Sequence, residues 1–162
     1  MRKTFFEELT RHMRKNKSIY AITGDLGKGG FDIIAQEFPD RFINGGAAEQ
    51  ACLGMAIGLA LEGKIPFFYS ITPFLLYRPF ELIRNYLVNE QIPVKLIGSG
   101  RDDDYKHDGP SHDATDINLL FGGKNKIFNK IKTYFPEDKS EIPDTVKEMI
   151  DNNLPSFLSL RR

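Results

Sequence analysis

One run constrains this chain more than any other: Ala47 to Leu61, AAEQACLGMAIGLAL, in which Glu49 is the only charged residue. A helix that is apolar all round belongs in a core, not on a surface. Ala47, Ala51, Gly54 and Gly58 fall at helical spacing and form a stripe of small residues that another backbone can approach closely. A lone carboxylate in the first turn of a buried helix is costly unless something receives it. The spacing leaves two receivers open. One is the helix dipole, with Glu49 about three residues past the cap; the other is a specific partner.

Around this run the pattern alternates between helix and strand. Residues 2–16 read as a helix with Phe5, Leu9 and Met13 on one face, and 18–23 as an apolar strand that ends in the turn-rich Gly24 to Gly30. A helix over 31–37, closed by Pro39, and a strand over 41–44 precede the Glu49 helix. Beyond it come a strand over 65–70, a long helix from Pro73 to about 90, and a strand over 93–99. A polar loop over 100–112, a short helix near 114–121, a strand over 131–135, a helix over 140–152 and a last strand over 155–160 complete the order. Repeated strand–helix–strand units predict an α/β fold: a doubly wound, mostly parallel sheet with helices on both faces, as one domain over 1–162.

Composition narrows the function classes. A chain of 162 residues buries roughly 70% of its unfolded surface, enough for a real core. With 22 basic and 22 acidic residues, bulk charge draws it neither to nucleic acid nor to a membrane surface. No run of about 18 apolar residues is present. The first residues read as an amphipathic helix without a signal-peptide core, so the cytoplasm is the expected compartment. The single cysteine, Cys52, reads as a small core residue. With three histidines and no metal-ligand spacing, a protein-held metal is not expected. The glycine turn at 24–30 is neither a Walker loop nor G-x-G-x-x-G. Ser111 and His112 are adjacent, and neighbours that point apart do not make a nucleophile–base pair.

Ligands of such sheets bind beyond the carboxyl ends of the strands, where the strand order reverses. The unusual residues gather there in sequence order: Asp25, then Asn44-Gly-Gly and Glu49, then Ser70 to Phe74, then Gly98-Ser99-Gly100 and the loop to His112. Gly24-Asp25-Leu26, Phe38-Pro39-x-Arg41-Phe42-Ile43-Asn44-x-Gly46-x-Ala48-Glu49-Gln50, the aromatic-spaced helix from Phe74, and Asp108-Gly109-Pro110-Ser111-His112 resemble, in that order, the pyrimidine-binding domain of the transketolase family of thiamine diphosphate enzymes. The resemblance runs from Arg2 to the closing Pro-Ser-Phe-Leu-Ser-Leu strand.

That resemblance implies a receiver for Glu49. The family's matching glutamate hydrogen-bonds N1′ of the cofactor's aminopyrimidine, so that the ring can take the proton from C2 of the thiazolium. It further implies that Phe74 stacks on the aminopyrimidine, with Tyr77 and Phe80 beside it on one helical face, although such stripes ordinarily pack a core. His112 matches the histidine that handles protons on substrate hydroxyls, Asp108 a carboxylate that reads a hydroxyl, and Asp25 an aspartate near the cofactor. Both aspartates could equally be turn residues.

Departures from the family pattern carry further expectations. Arg2 matches one of the cations that hold a sugar phosphate, but Gly29, Gly100 and Phe135 stand where others belong. The usual clamp is dismantled, which points to a different or unphosphorylated substrate. Arg101, Lys106 and His107, with Lys124, Lys126 and Lys130, are candidates for a rebuilt anion site. The Gly-Asp-Gly and asparagine motif that bind Mg2+ and the diphosphate are absent, as is the family's C-terminal domain. The implied protein is the pyrimidine-binding subunit of a split transketolase, inactive alone. A partner polypeptide would carry the diphosphate and Mg2+, in a two-plus-two assembly that transfers a two-carbon ketol unit. A subunit of a 2-oxo acid decarboxylase or dehydrogenase, or a non-catalytic interaction module, are the competing readings.

Overall fold

The computed structural model describes residues 1–121 and 125–162. The first helix, α1 (Arg2–Lys15), sends Phe5, Leu9 and Met13 into the core, as their spacing of four requires. Next come β1 (Ile19–Thr23), α2 (Asp32–Glu37), β2 (Phe42–Asn44), α3 (Glu49–Leu61) and β3 (Ile65–Ile71). They are followed by α4 (Thr72–Tyr77), the short α5 (Phe80–Leu82) with a π-helical continuation (Ile83–Asn89), and β4 (Lys95–Ser99). The chain closes with β5 (Lys132–Tyr134), α6 (Ile142–Asp151) and β6 (Ser156–Leu160).

Among the described residues, six strands form one sheet in the order β2-β1-β3-β4-β6-β5, and every pairing of these strands is parallel. Strand residues alternate between the two faces, so Phe67 and Tyr69 join one core while Phe68 joins the other. Helices α1, α2 and α6 cover the first face; α3, α4 and α5 with its continuation cover the second. This is the doubly wound α/β arrangement that the alternating pattern predicts. From β1 the chain steps to β2 on one side and then crosses to β3 on the other. The crevice between the carboxyl ends of β1 and β3 is therefore the topological switch point. Among the described residues, no helix is long and apolar enough to cross a membrane.

Two expected helices differ. The helix read from Pro73 to about 90 breaks after Tyr77, because Pro79 has no N–H to continue the ladder; the chain restarts at Phe80 and widens into the π turns. The helix read near 114–121 is a single 3-10 turn, Ile117–Leu119, with Ala114, Ile117, Leu120 and Phe121 buried. Cys52 is fully buried, and burial pushes its thiol up from the ordinary range.

Lys95, at the opposite end of the sheet from the switch point, is almost wholly buried. Its ammonium donates to the carbonyls of Asn152 and Leu154 and to Asn152 Oδ1, at 2.7–3.0 Å, pinning the α6–β6 connection. Burial, with Lys132 nearby, pulls its pKa from 10.5 to about 8. The folded state therefore binds fewer protons than the unfolded chain above the folded value, and stability rises with pH across that window. Urea unfolding is expected to show wild type gaining up to roughly 3 kcal/mol relative to Lys95→Met as pH rises from ~8 to ~10.5. A difference between the two that does not change with pH would refute this.

Candidate active site

The turn that launches α3 is built by close approach. A Cβ on Gly45 would come within 2.5 Å of Cys52 Sγ, and Gly46 has φ +71°, so both positions require glycine. Asn44 Oδ1 accepts from the backbone N–H groups of Asp25 (3.1 Å) and Gly46 (3.0 Å), and its Nδ2 donates to Asp25 Oδ1 (3.3 Å). Asp25, with φ 61°, thus serves to stitch the loop after β1 to the loop after β2.

Glu49 is the first residue of α3, and its side chain is 1% exposed. It caps no backbone; it reaches into the switch point. Ser70 Oγ, near the end of β3, donates to Oε1 at 3.0 Å. Gly24, after β1, lies so close that a Cβ there would sit 3.3 Å from Oε1. Arg78 Nη1 donates to Oε2 at 2.6 Å. Each carboxylate oxygen thus has a donor, which is how a buried anion escapes its desolvation cost. Arg78 is itself 44% exposed, and with Leu82 and residues 47–51 it lines an open cavity of about 630 Å³.

The contacts continue outward from Arg78. Its guanidinium lies over the ring of Phe74, Cζ 3.6 Å from the centroid, and His112 meets the same ring edge-on at 4.8 Å. Helix α4, which carries Phe74, is held down by Thr72, whose hydroxyl donates to the carbonyls of Gly100 (2.5 Å) and Ser99 (3.3 Å) at the end of β4. His112 ends a 3-10 turn, Pro110–His112, entered through Gly109 at φ 101°. That turn brings Ser111 Oγ to 3.0 Å from His112 Nδ1, so the adjacent pair does meet, contrary to the expectation that neighbours point apart. The result is one connected line, Ser70–Glu49–Arg78–Phe74–His112, drawn from α3, β3, α4 and the loop after β4.

Other expected positions lie elsewhere. Because of the break at Pro79, Phe80 does not continue the face of Phe74; its ring packs on Phe128, 5.4 Å away. Tyr77 donates to Asp116 Oδ1 at 2.6 Å, and burial together with that carboxylate raises its pKa. Asp108 is exposed, with its carboxylate 3.6 Å from His107 Nε2. Arg2 donates to Tyr105 OH at 3.1 Å and lines a second cavity, of about 660 Å³, with Lys28, Gly29 and Arg162. Arg101 does not belong to an anion site. It is 4% exposed, and its guanidinium is spent on Ser159 Oγ, the carbonyls of Ser159 and Pro136, and Glu137. Lys106 pairs with Asp113 at 3.9 Å, and Lys124 lies outside the described residues. Sequence reasoning misses Arg78 and the role of Ser70. Arg78 follows Phe74 by one helical turn, and that spacing is the signal that could have found it.

Residues 1–162 match the family described as "Transketolase, pyrimidine binding domain". A "Putative transketolase C-terminal section" from Methanocaldococcus jannaschii is 38% identical over the whole chain, which spans 50% of that protein. One of the subunits of an apulose-4-phosphate transketolase, from Actinobacillus succinogenes, is 32% identical over 77% of the chain and 39% of its own length. A solved structure described as "Split gene transketolase, inactive beta4 tetramer" superposes with a TM-score of 0.83 at 27% identity, over 99% of this chain and 51% of that one. The chain thus spans about half the length, or less, of these relatives. It belongs to the transketolase pyrimidine-binding domain family, a family of thiamine diphosphate-dependent enzymes.

Proposed function

We propose that this chain is the pyrimidine-binding part of a split, cytoplasmic transketolase-like enzyme that moves a two-carbon ketol unit. The observation that carries the reading is Glu49: a carboxylate 1% exposed, at the switch point, linked through Arg78 to the ring of Phe74 and, beyond that ring, to His112. A flat group fits between Phe74 and Glu49, because the planar guanidinium of Arg78 already stacks on one and bonds the other. Thiamine diphosphate, when bound, supplies a carbon nucleophile at C2 of its thiazolium ring.

The chain's own residues then have defined tasks. Phe74 offers its ring face to the aminopyrimidine, and Glu49 exchanges the proton at N1′. Ser70 and Gly24 fix the carboxylate so that it does not reorganise when that proton moves. His112, its Nδ1 turned to Ser111, leaves Nε2 to exchange protons with substrate hydroxyls. Mg2+ and the diphosphate fall to a diphosphate-binding partner chain. Among the relatives, one is a transketolase subunit and another the product of a split gene, which supports that division; a two-plus-two assembly is its natural symmetry. The exposed Ala51, Gly54 and Gly58 on α3 give such an assembly a surface for close helix packing.

The substrate reading follows from the missing cations. Gly29 and Gly100 carry no charge, Phe135 is apolar, and Arg101 is committed to its own fold, so of these positions Arg2 alone offers the cation that the family's clamp uses. We infer a different or unphosphorylated substrate. Relatives differ on this point: one is named for a sulfo-sugar and another for a sugar phosphate.

Two measurements test the proposal. With a diphosphate-binding partner, thiamine diphosphate and Mg2+, Glu49→Gln is expected to lower turnover by at least ~100-fold while the far-ultraviolet spectrum stays native. Turnover at the wild-type rate would overturn the role of Glu49. Unphosphorylated ketose donors are expected to be used at least as well as their phosphates, and a strong preference for the phosphates would refute the substrate reading.

A further inference from the structure

The two groups that would receive the aminopyrimidine, the face of Phe74 and Oε2 of Glu49, are both held by one side chain. Arg78 stacks its guanidinium 3.6 Å from the Phe74 centroid and donates from Nη1 to Oε2 at 2.6 Å. A guanidinium is planar, with N–H groups on its edge. In shape and bonding it makes the two contacts asked of the cofactor ring. Two planes cannot share one face of Phe74 at stacking distance, and Oε1 is already engaged by Ser70.

We propose that Arg78 is an internal stand-in for the aminopyrimidine: it fills the ring's place in the unliganded chain and is displaced when the ring binds. This rests on the roles proposed for Glu49 and Phe74. Buried Glu49 needs a partner at all times, and an exchange of Arg78 for N1′ of the ring, with one proton taken up from solvent and shared between N1′ and Oε2, leaves it satisfied before and after. Arg78 can leave at little cost in solvation, because it is 44% exposed and stands beside the open cavity of about 630 Å³. It sits at the end of α4, directly before Pro79, so its departure needs only side-chain rotation and breaks no helical turn. Arg78 is a positioning residue in this scheme: it keeps the Phe74 face and the Glu49 carboxylate set apart until the ring arrives. The consequence is a self-competition, in which apparent affinity falls by the fraction of molecules whose Arg78 has moved aside.

The test is thiamine binding by the full chain, read by calorimetry and by NMR of arginine-labelled protein. Arg78→Ala is expected to bind thiamine on the order of tenfold more tightly than wild type. Arg78→Lys, which keeps the charge but loses the planar face, should fall between the two. In the wild-type chain the Arg78 Nε–Hε signal, assigned by its loss in Arg78→Lys, should shift as thiamine is added. Binding by Arg78→Ala that is equal to or weaker than wild type overturns the proposal, as does no binding at millimolar thiamine or an unmoved Arg78 signal in thiamine-bound wild type. Glu49→Ala separates this from the underlying reading. If that variant binds thiamine as wild type does, the role of Glu49 itself falls; if it loses binding while Arg78→Ala fails to tighten it, only the stand-in falls.

Discussion

The structure turns on a carboxylate placed where water does not reach. Glu49 is brought there by the start of α3, and its surroundings are arranged to keep it: Ser70 from β3, Gly24 after β1, Arg78 from the end of α4. A buried carboxylate with its donors removed costs several kcal/mol, and the neighbouring elements supply two donors and the room for the side chain. The serine near the end of β3 and the arginine at the end of α4 meet that demand directly.

The parallel sheet makes this concentration of groups in one place feasible. The loops that bear on the site, after β1, β2, β3 and β4, leave the same edge, so side chains distant in sequence meet without long excursions of the chain. The opposite edge carries Lys95 and its carbonyl ligands, which hold the last helix to the last strand. Support and the candidate site are thereby separated by the length of a strand, and a change at one end has little direct contact with the other.

Much of this was legible in the sequence because it rests on periodicity. The apolar run of α3, the spacing of Phe5, Leu9 and Met13, and the short apolar strands each report a local rule that the tertiary structure obeys. The position of Glu49 was legible for the opposite reason: a charge in an apolar run conflicts with its surroundings and asks for an explanation. What stayed hidden depends on long-range partners. Arg101 looked like a free cation on a loop, yet Ser159, Pro136 and Glu137, far along the chain, enclose it. Arg78 went unremarked because nothing local links it to a glutamate twenty-nine positions earlier. Ser111 and His112 met only because Gly109 takes a left-handed conformation ahead of a tight turn, and the break at Pro79 carried Phe80 off to Phe128.

The margins of the sheet bear on how the molecule meets its neighbours. Both outermost strands, β2 and β5, are three residues long. Rims so short present few unpaired amides, and a foreign strand gains almost nothing by zipping onto them. Association by extending the sheet is thereby discouraged, and the helical flanks are left as the surfaces on which another molecule can settle. On the flank formed by α3, Gly54 and Gly58 are exposed, and a methyl group added at either would touch nothing among the described residues. Their smallness answers no demand from within, and each weakens the helix by about 1 kcal/mol relative to alanine. A body resting against that flank would lie alongside the helix that starts at Glu49, so crowding from outside and the buried carboxylate share a single rod.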